Sequence, residues 1–224
     1  MGVSVVFNND VKSAIEEYVN VHIGDENWHA DYFSFISDSK LAARLGEEFN
    51  SARYIYKMLE GVGADGWLLR AQIRIQILQY ASIYEAVIHH ILFDELATDP
   101  AVVALTEFPT NKKISIPAAS QAQLEKHLSH DGKEIIPTYE AIGKTSSTKV
   151  RFDNKANCAS LLGIITEDLR DDLIDIYEAR NAIHIHAEIR KSLDYQLDLS
   201  KRAYRRMKPF RDQIEAWQAS NTAV

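Results

Sequence analysis

EDLRDDLIDIYEARNAIHIHAEIRK, residues 167–191, is the stretch whose reading decides the fold. Leu169, Leu173, Ile176 and Ile183 stand three, four or seven residues apart. At about 100° per residue that spacing gathers them on one side of an α-helix. Thr166 followed by Glu167, Asp168, Asp171 and Asp172 supplies a helix start, because carboxylates offset the positive end of the helix dipole. Between Ile176 and Ile183 the position that should continue the apolar stripe is Arg180. A guanidinium on a buried stripe is costly unless it is paired or borders a wet cleft, so the helix carries both the packing signal and a candidate site.

Working outward, the pattern predicts a second helix at 194–217, so the chain ends in a helical hairpin. Upstream, Ile73, Ile77, Tyr80, Tyr84, Val87 and Ile91 alternate at four and three residues within a long segment at 65–96, the signature of a central bundle helix. Helical signal also covers 10–62, broken near Gly24 and Ser37–Ser39 and closed by Gly61 and Gly63. Pro100, Pro109, Pro117 and Pro137 cluster between the helical blocks, with short β-like runs at 113–116 and 149–152. The expected organisation is one all-α domain over 1–224. It comprises an N-terminal helical extension (1–62), a central helix (65–97), a mixed, β-containing insertion (98–154) and the hairpin (155–218).

Composition agrees with a helical globular chain: 224 residues contain only 9 Gly and 5 Pro, with 46% hydrophobic and 25% charged residues. Apolar runs fall short of the roughly 20 residues that cross a bilayer, so no membrane span is expected. The single Cys158 excludes an internal disulfide framework and Cys-rich zinc sites and suits a reducing, cytoplasmic setting as a core thiol. The first ten residues do not read as a secretory leader, and Val6 stands where a myristoylation motif wants Ser or Thr.

Arg180, Asn181, His184 and His186 place a permanent cation, an amide and two imidazoles within two helical turns. If the helix stays regular, His184 lies about 40° around it from Arg180 and His186 about 120° away. The run resembles the active motif of the HEPN superfamily, whose catalytic members are metal-independent RNases carrying Arg, four to six residues, then His, commonly with Asn directly after the Arg. Arg180 and Asn181 match the first two positions; five residues separate Arg180 from His186 and three separate it from His184. Helix geometry therefore favours His184 and the family spacing favours His186.

The resemblance covers the C-terminal hairpin and, loosely, the 65–96 helix. It implies an RNA-cleaving enzyme without metal or cofactor. Two protomers would pair so that two Arg-His sets face one cleft, in toxin or antiviral-defence proteins that often have a neutralising or regulatory partner. The same residues also fit a catalytically inactive helical dimer that binds RNA or protein.

The chain is acidic overall, with net charge -7, which would repel a nucleic-acid backbone unless cations are concentrated locally. Residues 194–211 carry a net +4, and Arg202, Arg205, Arg206 and Lys208 are the candidate RNA contacts, with Lys201 and Arg211 beside them. Residues 165–180 carry a net -4, so the two helices could instead neutralise each other. His89 and His90 with Glu85, and His127 with His130, complete no metal-ligand pattern, and no metal is expected.

Overall fold

The computed structural model describes residues 7–128, 130–183 and 197–222. It is mainly helical with one two-stranded sheet. The chain divides into two compact units, one built from Met1–Glu95 with Phe152–Val224, the other from Leu96–Arg151.

The larger unit contains α1 (Asn9–His22), α2 (Glu26–Asp31), α3 (Ser39–Gly61) and α4 (Gly66–His90), with α4 continued by a π-helical turn at Ile91–Glu95. After the second unit it resumes with α7 (Phe152–Leu161), α8 (Glu167–Asn181), α9 (Leu197–Arg205) and α10 (Met207–Thr222). Local chemistry sets the starts. Asn8, Asp25 and Asp38 accept from the backbone N–H of Val11, Trp28 and Leu41, satisfying donors that have no partner inside the first turn. Thr166 precedes α8 as its sequence suggests, but its side chain does not cap; Gln213 of α10 accepts its N–H at 2.8 Å, and Glu167 and Asp168 supply the compensating charge. Gly63 ends α3 at φ +67°, where a Cβ would be strained, and the following N–H of Ala64 returns to the carbonyl of Leu59.

Helix α4 is the axis of this unit and packs against α3, α7, α8 and α9. The six positions of its predicted apolar face are all buried, each at most 2% exposed. A second face is buried as well, through Gln72 and Gln76, whose amides donate to the Tyr56 and Ala52 carbonyls of α3. Helices before residue 62 share the core: Phe33 and Phe49 are buried, and the Phe49 ring lies 6.2 Å from that of Tyr80. Cys158 is a buried thiol of α7.

The smaller unit holds α5 (Pro100–Thr106), β1 (Glu107–Lys113), α6 (Ala118–His127), β2 (Thr138–Lys144) and a 3-10 turn at Ser147–Lys149. Antiparallel pairing runs from Glu107 opposite Lys144 to Lys113 opposite Thr138. The expected run 113–116 thus meets only the end of β1, at Lys113 with the Ile114 N–H still bonded to the Pro137 carbonyl, and 149–152 holds no strand; Lys149 is in the 3-10 turn and Phe152 begins α7. The reason is that pairing, which is non-local, selects strands here. Pro109 is tolerated because each strand of a two-stranded ribbon has an unpaired edge.

Two helix boundaries also differ from expectation. Helix α8 ends at Asn181, where the N–H of Ala182 turns to the carbonyls of both Glu178 and Ala179; the expected continuation to Lys191 lies, from 184 on, outside the described residues. The expected single helix at 194–217 is two, α9 and α10, broken at Arg206. Pro209 lacks the N–H that would bond the Arg205 carbonyl four residues back, so the ladder cannot pass uninterrupted.

Candidate functional site

Arg180 sits in the last turn of α8, half-buried, one residue beyond buried Ala179, which takes over the core stripe from Ile176. Its guanidinium is therefore at the edge of the packed face. One Nη1 donates to the Oδ1 of Asn181 at 3.0 Å and to the Tyr177 hydroxyl at 3.3 Å, and the group lies 5.0 Å from the centre of the Tyr177 ring. Both hydrogen-bond partners are neutral. Among the described residues no carboxylate pairs with Arg180.

Tyr177 links Arg180 to a buried ion pair. Its hydroxyl donates to Glu85 Oε2 at 2.9 Å, and the other carboxylate oxygen of Glu85 accepts from Lys155 Nζ at 3.3 Å. The Lys155 side chain is only 2% exposed. Phe152 stacks on the Tyr177 ring with centroids 4.3 Å apart, fixing the plane of the phenol. Burial, then the hydrogen bond and charge of Glu85, push the Tyr177 hydroxyl up to about 12 against the opposing charge of Arg180, so it stays protonated and donates at neutral pH. His89 is half-buried near this pair; burial first and the Lys155 ammonium second lower its pKa, which favours neutral imidazole.

His184 and His186 lie outside the described residues. The argument that favours His184 assumes a regular helix through that position, and α8 ends at Asn181, so the angular comparison no longer separates the two imidazoles. Just beyond the helix, Arg74 of α4 donates to the carbonyl of Ile183.

Of the candidate RNA contacts, three are engaged in ion pairs. Arg202 bonds Asp172 at 3.2 Å and Asp175 at 3.6 Å, Arg206 bonds Asp172, and Lys208 bonds Asp212. Arg211, beside them, bonds Glu215 at 2.9 Å. The net-positive and net-negative segments thus neutralise each other along α8 and α9. Arg205 is exposed, and neither it nor Lys201 has an ion-pair partner among the described residues.

Sequence reading missed Tyr177 and Lys155 and took Glu85 only with His89. Signals existed: Tyr177 is three residues before Arg180, and Lys155 shares the helical spacing of Phe152, Ala156 and Ala159, which marks a buried face. His90 is buried against Ser37, Asp94 and Glu95, while His127 and His130 are exposed. Among the described residues no group of three or more His, Cys, Asp or Glu could hold a metal ion, and no helix is long and apolar enough to cross a membrane. No family model, curated protein or solved structure matches this chain.

Proposed function

We propose that this protein is a metal-independent endoribonuclease of the HEPN type. The observation that carries the reading is Arg180: a half-buried guanidinium at the end of a bundle helix, oriented by the neutral oxygens of Tyr177 and Asn181 and with no carboxylate partner among the described residues. Such a group suits a phosphate, because Arg presents paired donors and keeps its charge at every working pH. In the proposed reaction the 2′-oxygen of RNA loses its proton to a base and attacks phosphorus. The 5′-oxygen leaves with a proton from an acid, giving a 2′,3′-cyclic phosphate and a 5′-hydroxyl. His184 and His186 provide the base and acid, their pKa range fitting both roles, and Arg180 offsets charge on the phosphorane. A homodimer brings two such sets to one cleft, and a toxin or antiviral role with a neutralising partner is the setting this chemistry suits.

The test is cleavage of single-stranded RNA in EDTA by the purified protein. Arg180→Ala should abolish it, and His184→Ala and His186→Ala should each lower the rate about 10²- to 10⁴-fold for a true acid or base. Unchanged cleavage in all three variants, or complete loss in chelator, refutes the mechanism. A second reading is a non-catalytic helical dimer that binds RNA or protein, and the ion pairs of Arg202, Arg206 and Lys208 favour its protein-binding form, because they remove most of the basic track an RNA backbone would follow. A dimer that neither cleaves nor binds single-stranded RNA would select that form.

A further inference from the structure

A cavity of about 340 Å³ opens in the larger unit between α1, α3, α4 and α9, and it shares no residue with the Arg180 cluster. Four cations line it: Arg53 and Lys57 of α3 and Lys201 and Arg205 of α9. Glu60 is the carboxylate among its lining residues, and it is already taken. It accepts from Lys57 and from the Tyr18 hydroxyl at 3.2 Å. Burial opposes its ionisation, but Lys57 and the hydroxyls of Tyr18 and Tyr56 hold it below the usual carboxylate range. Arg53, Lys201 and Arg205 have no counter-charge among the described residues.

Arg53 is held in place by neutral groups. His29 is buried, and its Nδ1 lies 2.8 Å from the Asp25 carbonyl oxygen, so that nitrogen must carry the proton. Nε2 is then an acceptor, and it takes a hydrogen bond from Arg53 Nη1 at 3.1 Å, while Nη2 donates to the His22 carbonyl at 3.3 Å. Trp28 lies under the guanidinium at 4.8 Å. Lys201 and Arg205 project from α9 with no ion pair or hydrogen bond among the described residues.

The remaining walls are flat and aromatic, from Tyr56, Tyr80 and Tyr204. Tyr80 is 1% exposed as a residue, and its hydroxyl makes no hydrogen bond among the described residues. A polar atom of this kind in a cavity wall asks for a ligand atom.

We propose that this cavity binds a small phosphorylated molecule with a planar ring, the size and chemistry of a nucleoside monophosphate. Lys201, Arg205 and Arg53 take the phosphate, the Tyr56 and Tyr204 rings take the planar ring, and the Tyr80 hydroxyl bonds a polar ring or sugar atom. The volume lies at the small end of the range for ligand sites, which suits one nucleotide and excludes a polymer strand from lying fully inside. The site is independent of the ribonuclease reading, since Arg180 takes no part in it.

Calorimetric titration of the full chain with AMP, GMP, CMP and UMP tests this, with adenosine and inorganic phosphate as the two half-ligands. At least one monophosphate should bind more tightly than either half by about tenfold or more. Lys201→Met with Arg205→Met should weaken it at least tenfold and reduce its salt dependence, and Tyr80→Phe should weaken it several-fold while leaving the fold intact by circular dichroism. Arg180→Ala should bind like the parent, which separates this site from the cleavage site. The proposal is overturned by no binding of any monophosphate at 1 mM. It is also overturned by inorganic phosphate binding as well as the nucleotides, or by a Lys201/Arg205 double variant that binds unchanged.

Discussion

Replacing Glu85 by Gln removes the one counter-charge that Lys155 has among the described residues while keeping nearly the same shape. The ammonium is 2% exposed and has no other hydrogen-bond or ion-pair partner among the described residues, whereas Glu85 is 29% exposed and also accepts from Tyr177. The two ends of the pair are therefore unequal. Stranding a buried charge costs about 3–5 kcal/mol, and the partial exposure of Glu85, which lets some water reach the pair, argues for about 3 kcal/mol. For a unit of this size that is a fall of about 6–12 °C in Tm. Lys155→Met removes the charge but keeps the packed stem, and leaves Glu85 near water with the Tyr177 hydroxyl still bonded to it. Its effect should stay within about 1 kcal/mol in either direction. The double variant should resemble Lys155→Met alone, giving a coupling of about 2 kcal/mol or more. Thermal and urea unfolding of the four proteins, followed by far-ultraviolet circular dichroism, measure the cycle. Equal losses in the two single variants, or simple addition in the double, would show that the buried pair does not stabilise the fold in this way.

Tyr84→Phe should cost about 1–3 kcal/mol in urea unfolding, because the Tyr84 hydroxyl donates to the Ala203 carbonyl at 2.6 Å in a fully buried setting and its loss leaves that carbonyl unpaired. Stability should decline as pH falls below about 6.5. Burial first, and the charge of Arg53, lower the His29 pKa against its bond to the Asp25 carbonyl, so below the unfolded value only the unfolded chain takes up that proton, until the folded imidazole also titrates. His89 is shifted in the same direction, so His29→Gln should flatten part of this acid limb in pH-dependent melts, and an unchanged limb would refute the assignment. Gly163→Ala should cost about 1–2 kcal/mol, since Gly163 follows α7 at φ +72°, where a Cβ is strained; no loss in Tm would count against it.

The helical class and the central helix were legible because their signal is local: one buried face repeats every three to four residues, and all six positions from Ile73 to Ile91 obey it. Sequence could not show that α4 is buried on a second side, since Gln72 and Gln76 read as polar until the Tyr56 and Ala52 carbonyls are in place to receive them. The same blindness hid the strands, whose register depends on partners about 30 residues away. At the candidate site, Arg180 and Asn181 were legible as a local anomaly in a regular stripe. Glu85 and Lys155 were not, because 70 residues separate two side chains that only the packing of α7 on α4 brings together.

Charge density along the chain was the least reliable guide, for a physical reason. The +4 segment at 194–211 and the -4 segment at 165–180 fold against each other, and Asp172 alone receives both Arg202 and Arg206. What attracts an anion is a cation whose hydrogen bonds end on neutral oxygen or nitrogen, because the fold then fixes its position without cancelling its field. By that criterion Arg180, held by Tyr177 and Asn181, and Arg53, held by His29 and the His22 carbonyl, are equivalent, though only the first stands in a recognisable motif. The net charge of -7 lowers non-specific attraction for polyanions, so on the proposed readings recognition of an anion falls to these two fixed guanidinium groups and to the Lys201 and Arg205 side chains beside the second.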